Sequence, residues 1–166
     1  MSKEEYPVTP AVRLLRSKGI AFTPFVYDYE AHGGTRQFAE EFQVPEHNVV
    51  KTLVFETDGN KPFLLLMHGD CEVSAKELAR ILGVKQVALC AEGTAQRNTG
   101  YRFGGTSPFG TRLALPVIAE KTIFELSSVY INGGKRGFII EMASADIKNV
   151  LAVTEVEVAR PGRSAV

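Results

Sequence analysis

Apolar positions along this chain change period several times, and each change marks an element. Thr9-Pro10 followed by Ala11, Val12, Leu14 and Leu15 reads as a helix. Threonine caps it, proline suits the first turn and Gly19 ends it. Phe22–Tyr29 reads as a strand, with Pro24 confining it to an edge or a start. Thr35–Phe42 reads as a short helix. Val49–Glu56 is a strand that turns at Asp58-Gly59-Asn60 and returns as Phe63–Met67. Ser74 and Glu77 form a capping box ahead of Leu78, Ala79, Ile81 and Leu82 at helical spacing, closed by Gly83. Gln86–Leu89 and Val117–Ala119 are short strands, and Gly93–Asn98 is a further short helix. Ser128–Ile131 and Gly137–Met142 are strands joined by Asn132-Gly133-Gly134-Lys135-Arg136. Ser144 caps a helix to Leu151, and Val153–Val158 is a last strand.

About seven strands thus interleave with four or five helices. Several connections are hairpins, which favours a mixed sheet over a doubly wound parallel one. The expected fold class is α+β, with residues 1–166 forming one domain.

Composition changes this picture little. Apolar residues make up 45%, enough for a sizeable core. No apolar run approaches the roughly 18 residues of a membrane helix, and the first residues lack the layout of a signal peptide. The expectation is a cytoplasmic protein without membrane contact. Lys plus Arg and Asp plus Glu both number 19, so no global basic footprint for nucleic acid exists. That argues against wrapping a long duplex, but not against holding a strand end with a few local charges. Cys71 and Cys90 have neither zinc nor redox spacing, and His32, His47 and His68 have no metal-ligand spacing. No metal and no cofactor is expected.

Three features could carry chemistry. Lys51 interrupts the apolar run Val49–Phe55. Pattern alone favours a solvent-facing lysine; in a pocket, the ammonium would supply a point charge to a phosphate or developing oxyanion. Gly100–Gly110 holds four glycines with Thr106, Ser107 and Pro108. It is either a structural turn or a loop that aims amide N–H groups at a ligand. Gly133–Gly137 is a hairpin turn that also presents Lys135 and Arg136, two cations suited to a phosphate backbone. His68-Gly69-Asp70-Cys71 invites a cysteine nucleophile, but neighbours in sequence seldom form a triad in space.

In this order, and with Thr9-Pro10-Ala11, Val50-Lys51-Thr52-Leu53, Ala95-Gln96-Arg97, Thr99-Gly100-Tyr101 and Tyr130, these features resemble the YbaK/EbsC family. Its members include Cys-tRNA(Pro) deacylases, and it is related to the editing domain of some bacterial prolyl-tRNA synthetases. The resemblance implies a barrel-like mixed sheet with helices outside, and release of a mischarged amino acid, foremost cysteine, from the 3′ end of tRNA(Pro). The alternatives are editing of Ala-tRNA(Pro) or another aminoacyl-tRNA, non-catalytic capture of aminoacyl-tRNA or a small ligand, and hydrolysis of an unrelated small molecule. It implies Lys51, Gly104 and Gly105 as catalytic residues and Tyr27, Thr52, Ser107, Pro108 and Asn132 as substrate-binding residues. Lys135 and Arg136 would contact the acceptor end. The implied partners are a mischarged tRNA and prolyl-tRNA synthetase, with the chain either a monomer or a homodimer. The sequence departs from the family at Asn132, where serine is frequent, at Ile139, where a polar residue is frequent, and in a shorter segment around His32-Gly33-Gly34.

Overall fold

A computed structural model describes residues 5–162. Five α-helices are seen: α1 (Pro10–Ser17), α2 (Gly34–Phe42), α3 (Ala75–Leu82), α4 (Glu92–Thr99) and α5 (Ser144–Val150). The strands are β1 (Thr23–Val26), β2 (Val49–Thr57), β3 (Pro62–His68), β4 (Cys71–Val73), β5 (Val87–Leu89), β6 (Val117–Glu120), β7 (Ser128–Lys135), β8 (Phe138–Ala143), β9 (Val153–Val156) and β10 (Ala159–Pro161). The main sheet runs β1-β8-β7-β2-β3-β6-β9, with β5 also on β2, while β4 and β10 form a separate ribbon. Hairpins pair antiparallel, whereas β7 with β2, β3 with β6 and β6 with β9 are parallel. The expected mixed α/β sheet is therefore present.

β3 explains the packing. Leu64, Leu65, Leu66 and Met67 are all fully buried, because helices cover both faces of the sheet. Leu64 and Leu66 join a core with Ala11, Val12 and Leu15 of α1, Ala95 of α4 and Ile147 of α5. Leu65 and Met67 face Leu78 and Ala79 of α3. A smaller aromatic core holds α2: Phe38 packs on Phe25, Tyr27, Phe42 and Tyr130.

Local chemistry starts and stops the helices largely as the sequence implies. Thr9 Oγ1 accepts the Val12 N–H at the start of α1, and Ser74 Oγ accepts the Glu77 N–H at the start of α3. Gly83, in the left-handed region at φ 71°, ends α3. Several expectations change. Ser144 is not a cap: it lies inside α5, and its hydroxyl donates to the Leu126 carbonyl, which ties the helix to the preceding turn. The first strand is only Thr23–Val26, and the last shortens to Val153–Val156. Asn132–Lys135 is not a loop: it continues β7 as a bulge, with pairing that jumps from Asn132↔Ile139 to Lys135↔Phe138. The β4–β10 ribbon has no counterpart in the sequence reading. Its strands are three residues each and pair across about half the length of the chain. Buried Glu120 anchors the approach to β10, with its Oε1 accepting the N–H groups of Val158 and Ala159 at 2.7 and 2.6 Å.

Candidate functional site

The site begins with a break in the sheet. One edge of β2 pairs with β7 through Val49 and Val50, and with β5 through Phe55 to Thr57. Between them, the Val54 carbonyl accepts the Cys90 N–H at 2.9 Å. Val49 offers its carbonyl to Gly69 on the opposite, β3 side. Strand alternation then points the backbone N–H and C=O of Thr52 to the open edge. A cavity of about 660 Å³ fills this gap, lined by Val49 to Val54 on one side and by Tyr27, Tyr29, Phe103, Gly104, Asn132 and Arg136 on the other. That is the size of a small-ligand site.

Lys51 lies half-buried at the cavity, and its Nζ donates to the Gly69 carbonyl at 3.4 Å. Burial lowers its pKa from the ordinary lysine value, and Glu46, Cys71, Glu72 and Asp70 oppose that shift without cancelling it. Among the described residues its one hydrogen bond is to this neutral carbonyl, which leaves two ammonium donors for a ligand. Beside it, Thr52 Oγ1 is buried and has no hydrogen-bond partner, the sole such side-chain atom among the described residues. A buried hydroxyl without a partner is costly, so its partner comes from the cavity, as solvent or a bound molecule.

The other wall joins stretches far apart in the chain. Asn132 Nδ2 donates to the Gly104 carbonyl at 2.9 Å, and Asn132 Oδ1 accepts the Gly134 N–H at 2.8 Å. Arg136 Nε donates to the Phe103 carbonyl at 2.6 Å, and its guanidinium lies over the Tyr29 ring. Gly104 has φ 84°, and a Cβ there would meet the Tyr29 hydroxyl at 2.5 Å. A Cβ on Gly105 would meet the Arg136 backbone nitrogen at 2.8 Å, so the glycine loop rests directly on the β7–β8 turn. Thr9 Oγ1 donates to the Gly133 carbonyl at 2.5 Å, and Tyr101 donates to the Phe109 carbonyl at 2.6 Å. The start of α1, the loop and the bulge are thus one packed unit.

A model of the aminoacyl-tRNA editing domain matches residues 31–150. The chain belongs to that family. It is 29% identical to a candidate Cys-tRNA(Pro)/Cys-tRNA(Cys) deacylase, EbsC, of Enterococcus faecalis, over 85% of this chain and 87% of that protein. It is 27% identical to a proline–tRNA ligase of Brachyspira hyodysenteriae over 57% of this chain, which spans 16% of the ligase. The crystal structure of a candidate trans-editing enzyme for prolyl-tRNA synthetase superposes with a TM-score of 0.78, at 16% identity, over 93% of this chain and 99% of that one. The fold is therefore that of the editing-domain structures.

Within this editing domain, Tyr27, Lys51, Thr52, Gly104, Asn132 and Arg136 line one cavity. Gly105, Ser107, Pro108 and Lys135 do not. Ser107 is fully buried, and its Oγ accepts the Phe109 N–H at 3.1 Å, so it folds the loop instead of facing a ligand. Pro108 is buried beside it, and Lys135 projects away as an exposed residue. Sequence reasoning gave no site role to Tyr29, Thr35, Cys90, Glu92, Phe103 and Thr106, which also line the cavity, as does Ile139, noted there as a departure from the family. Only the tyrosine and phenylalanine, polar-flanked aromatics, carried a signal. Neither thiol is a ready nucleophile: burial and then Asp70 push Cys71 up to about 11, and burial and then Glu56 push Cys90 to about 11. No helix among the described residues is long and apolar enough to cross a membrane.

Proposed function

We propose that this editing domain acts in trans as a deacylase that releases cysteine from Cys-tRNA(Pro). The observation that carries the reading is the pairing of Lys51, half-buried with free donors, and the unpartnered Thr52 hydroxyl at one cavity with the Gly104 turn. An aminoacyl ester is already activated, so catalysis needs chiefly positioning and charge stabilisation. Lys51 steadies the terminal nucleotide or the developing oxyanion. Thr52, through its hydroxyl and the N–H and C=O at the open edge, holds the aminoacyl group. Tyr27, whose phenol burial keeps protonated, borders the same group. Arg136 meets the acceptor-end phosphates from the rim, with Lys135 further out.

With cysteine as substrate, the nucleophile is the substrate's own sulfur. Its thiolate attacks the ester carbonyl, a C–S bond forms, and the C–O bond to the ribose breaks. The proton lost by the thiol ends on the ribose oxygen, and a cyclic thiolactone leaves. This accounts for a cavity whose one thiol, Cys90, is held protonated. The similarity to the Enterococcus protein supports cysteine. Ile139, apolar where a polar side chain is frequent in the family, leaves Ala-tRNA(Pro) as the second reading, with water or a ribose hydroxyl attacking. In either case prolyl-tRNA synthetase is the source of the mischarged tRNA, and the cytoplasm the site of action.

The test is deacylation of Cys-tRNA(Pro), Ala-tRNA(Pro) and Pro-tRNA(Pro) by the purified protein. Fast loss of cysteine with Pro-tRNA(Pro) intact is expected. Faster loss of alanine selects the second reading. Binding of charged tRNA with no turnover of any of the three overturns both.

A further inference from the structure

Behind Lys51, outside the cavity, the turn between β3 and β4 gathers a second set of reactive groups. His47 Nδ1 lies 2.9 Å from Asp70 Oδ1, and Cys71 Sγ donates to that same oxygen at 3.4 Å. The three donor atoms all lie within 4.8 Å of one another. His47 comes from the 3₁₀ turn Glu46–Asn48 that precedes β2, which is why no spacing in the sequence signalled the cluster.

The cluster is held from every side. The His47 ring stacks on His68, centroids 3.7 Å apart and nearly parallel. His68 is fully buried, and both its nitrogens are engaged, with the His47 carbonyl and Thr122 Oγ1, each at 2.7 Å. The Gly69 N–H donates to the Val49 carbonyl at 2.6 Å, and the Gly162 N–H to the Asp70 carbonyl at 3.0 Å. Cys71 is paired in register with Pro161.

We propose that His47, Asp70 and Cys71 form a binding site for one zinc-class divalent cation, with a fourth position open to solvent. Imidazole, carboxylate and thiolate are the donor set that such an ion takes, and the sulfur and nitrogen disfavour magnesium or calcium. Bonds of about 2.0–2.3 Å put tetrahedral donors about 3.3–3.8 Å apart. The observed 2.9 and 3.4 Å separations need only a small opening. Neutral histidine, one carboxylate and one thiolate balance a double positive charge. The ion replaces the two hydrogens that now bridge to Asp70: the thiol proton leaves to solvent, and the histidine carries its proton on Nε2. An ordinary histidine–carboxylate pair needs no thiol on the same oxygen. His47 and Asp70 are also each more than 40% exposed at the side chain, so an ion can enter. Occupied, the site clips the turn before β2 to the β3–β4 turn and so stabilises the fold.

The test uses the full chain, stripped with chelator and titrated with cobalt(II). Thiolate-to-cobalt absorption in the near ultraviolet, saturating at one equivalent and displaced by zinc, is expected. Zinc raises the melting temperature. Cys71→Ser removes the absorption, His47→Ala weakens binding by about tenfold or more, and Cys90→Ser changes neither. Absorption that never develops in the wild type, or that persists in Cys71→Ser, overturns the proposal. Deacylation is not part of the readout, so the result is independent of the proposed activity.

Discussion

Arg102, Phe103 and Gly104 stand exposed, two of them at the cavity, whereas Gly105 to Phe109, next in the chain, are buried. The sequence presents these eight residues as one glycine-rich loop. In space, the first part borders the cavity and the second part is core, with buried Thr106 alone of the second reaching the cavity wall. Phe109 is fully buried among α1 and the central strands, and Ser107 closes the turn onto its N–H. Phe103 is 40% exposed, and its carbonyl receives Arg136. A motif therefore need not have one purpose. Gly104 is required by the close approach of Tyr29 at the cavity, Gly105 by the backbone of the β7–β8 turn.

Aromatic truncations break the comparison most sharply. Phe109→Ala removes a fully buried ring and should cost about 3–5 kcal/mol of unfolding free energy by denaturant titration. Phe103→Ala should shift stability by less than about 0.5 kcal/mol while raising the KM for charged tRNA. Equal stability losses would erase the division. Ser107→Ala, which strands the Phe109 N–H, should cost about 1–3 kcal/mol with KM unchanged. A raised KM at full stability would return Ser107 to the ligand wall.

That division was not legible in the sequence, and the reason is physical. Composition marks a flexible backbone, but burial depends on what packs above it: here the start of α1 and the β7 bulge, both distant in the chain. Elements carried by local chemistry were legible, among them the β2–β3 hairpin, the Ser74 cap and the Gly83 stop. Those that rest on distant partners were not. The β4–β10 ribbon, Glu120 on Val158 and Ala159, and Ser144 on Leu126 all fall in this group. Lys51 is intermediate. Its odd place in an apolar strand was visible, but the opening of the sheet beside it was not, because that opening depends on where β7 departs and β5 joins.

Smaller effects sharpen the contrast at the rim. Arg136→Gln should raise KM and flatten its dependence on salt, and Lys135→Gln should do so less, since Lys135 does not line the cavity. Equal effects would move tRNA binding outward along the hairpin. The pH response of Lys51 is the subtlest. Burial holds its pKa below the ordinary 10.5, so turnover that needs the ammonium declines at lower pH than an ordinary lysine would allow. Stability has the opposite sign. Between the folded and unfolded pKa values the unfolded chain binds more protons, so the penalty for the buried charge is relieved as pH rises through that window. Enzyme-dependent pH–rate profiles, and melting of wild type against Lys51→Met over the same range, check both directions.

The most direct measurement is single-turnover deacylation of Cys-tRNA(Pro) by the wild type and by Lys51→Ala, with melting curves recorded for both. The expected result is a fall of about 10²–10³ in rate, the scale of losing one charge-stabilising donor, with a melting temperature at or above that of the wild type because a buried charge has gone. Unchanged turnover in a folded Lys51→Ala protein would contradict the placement of the reaction at this cavity.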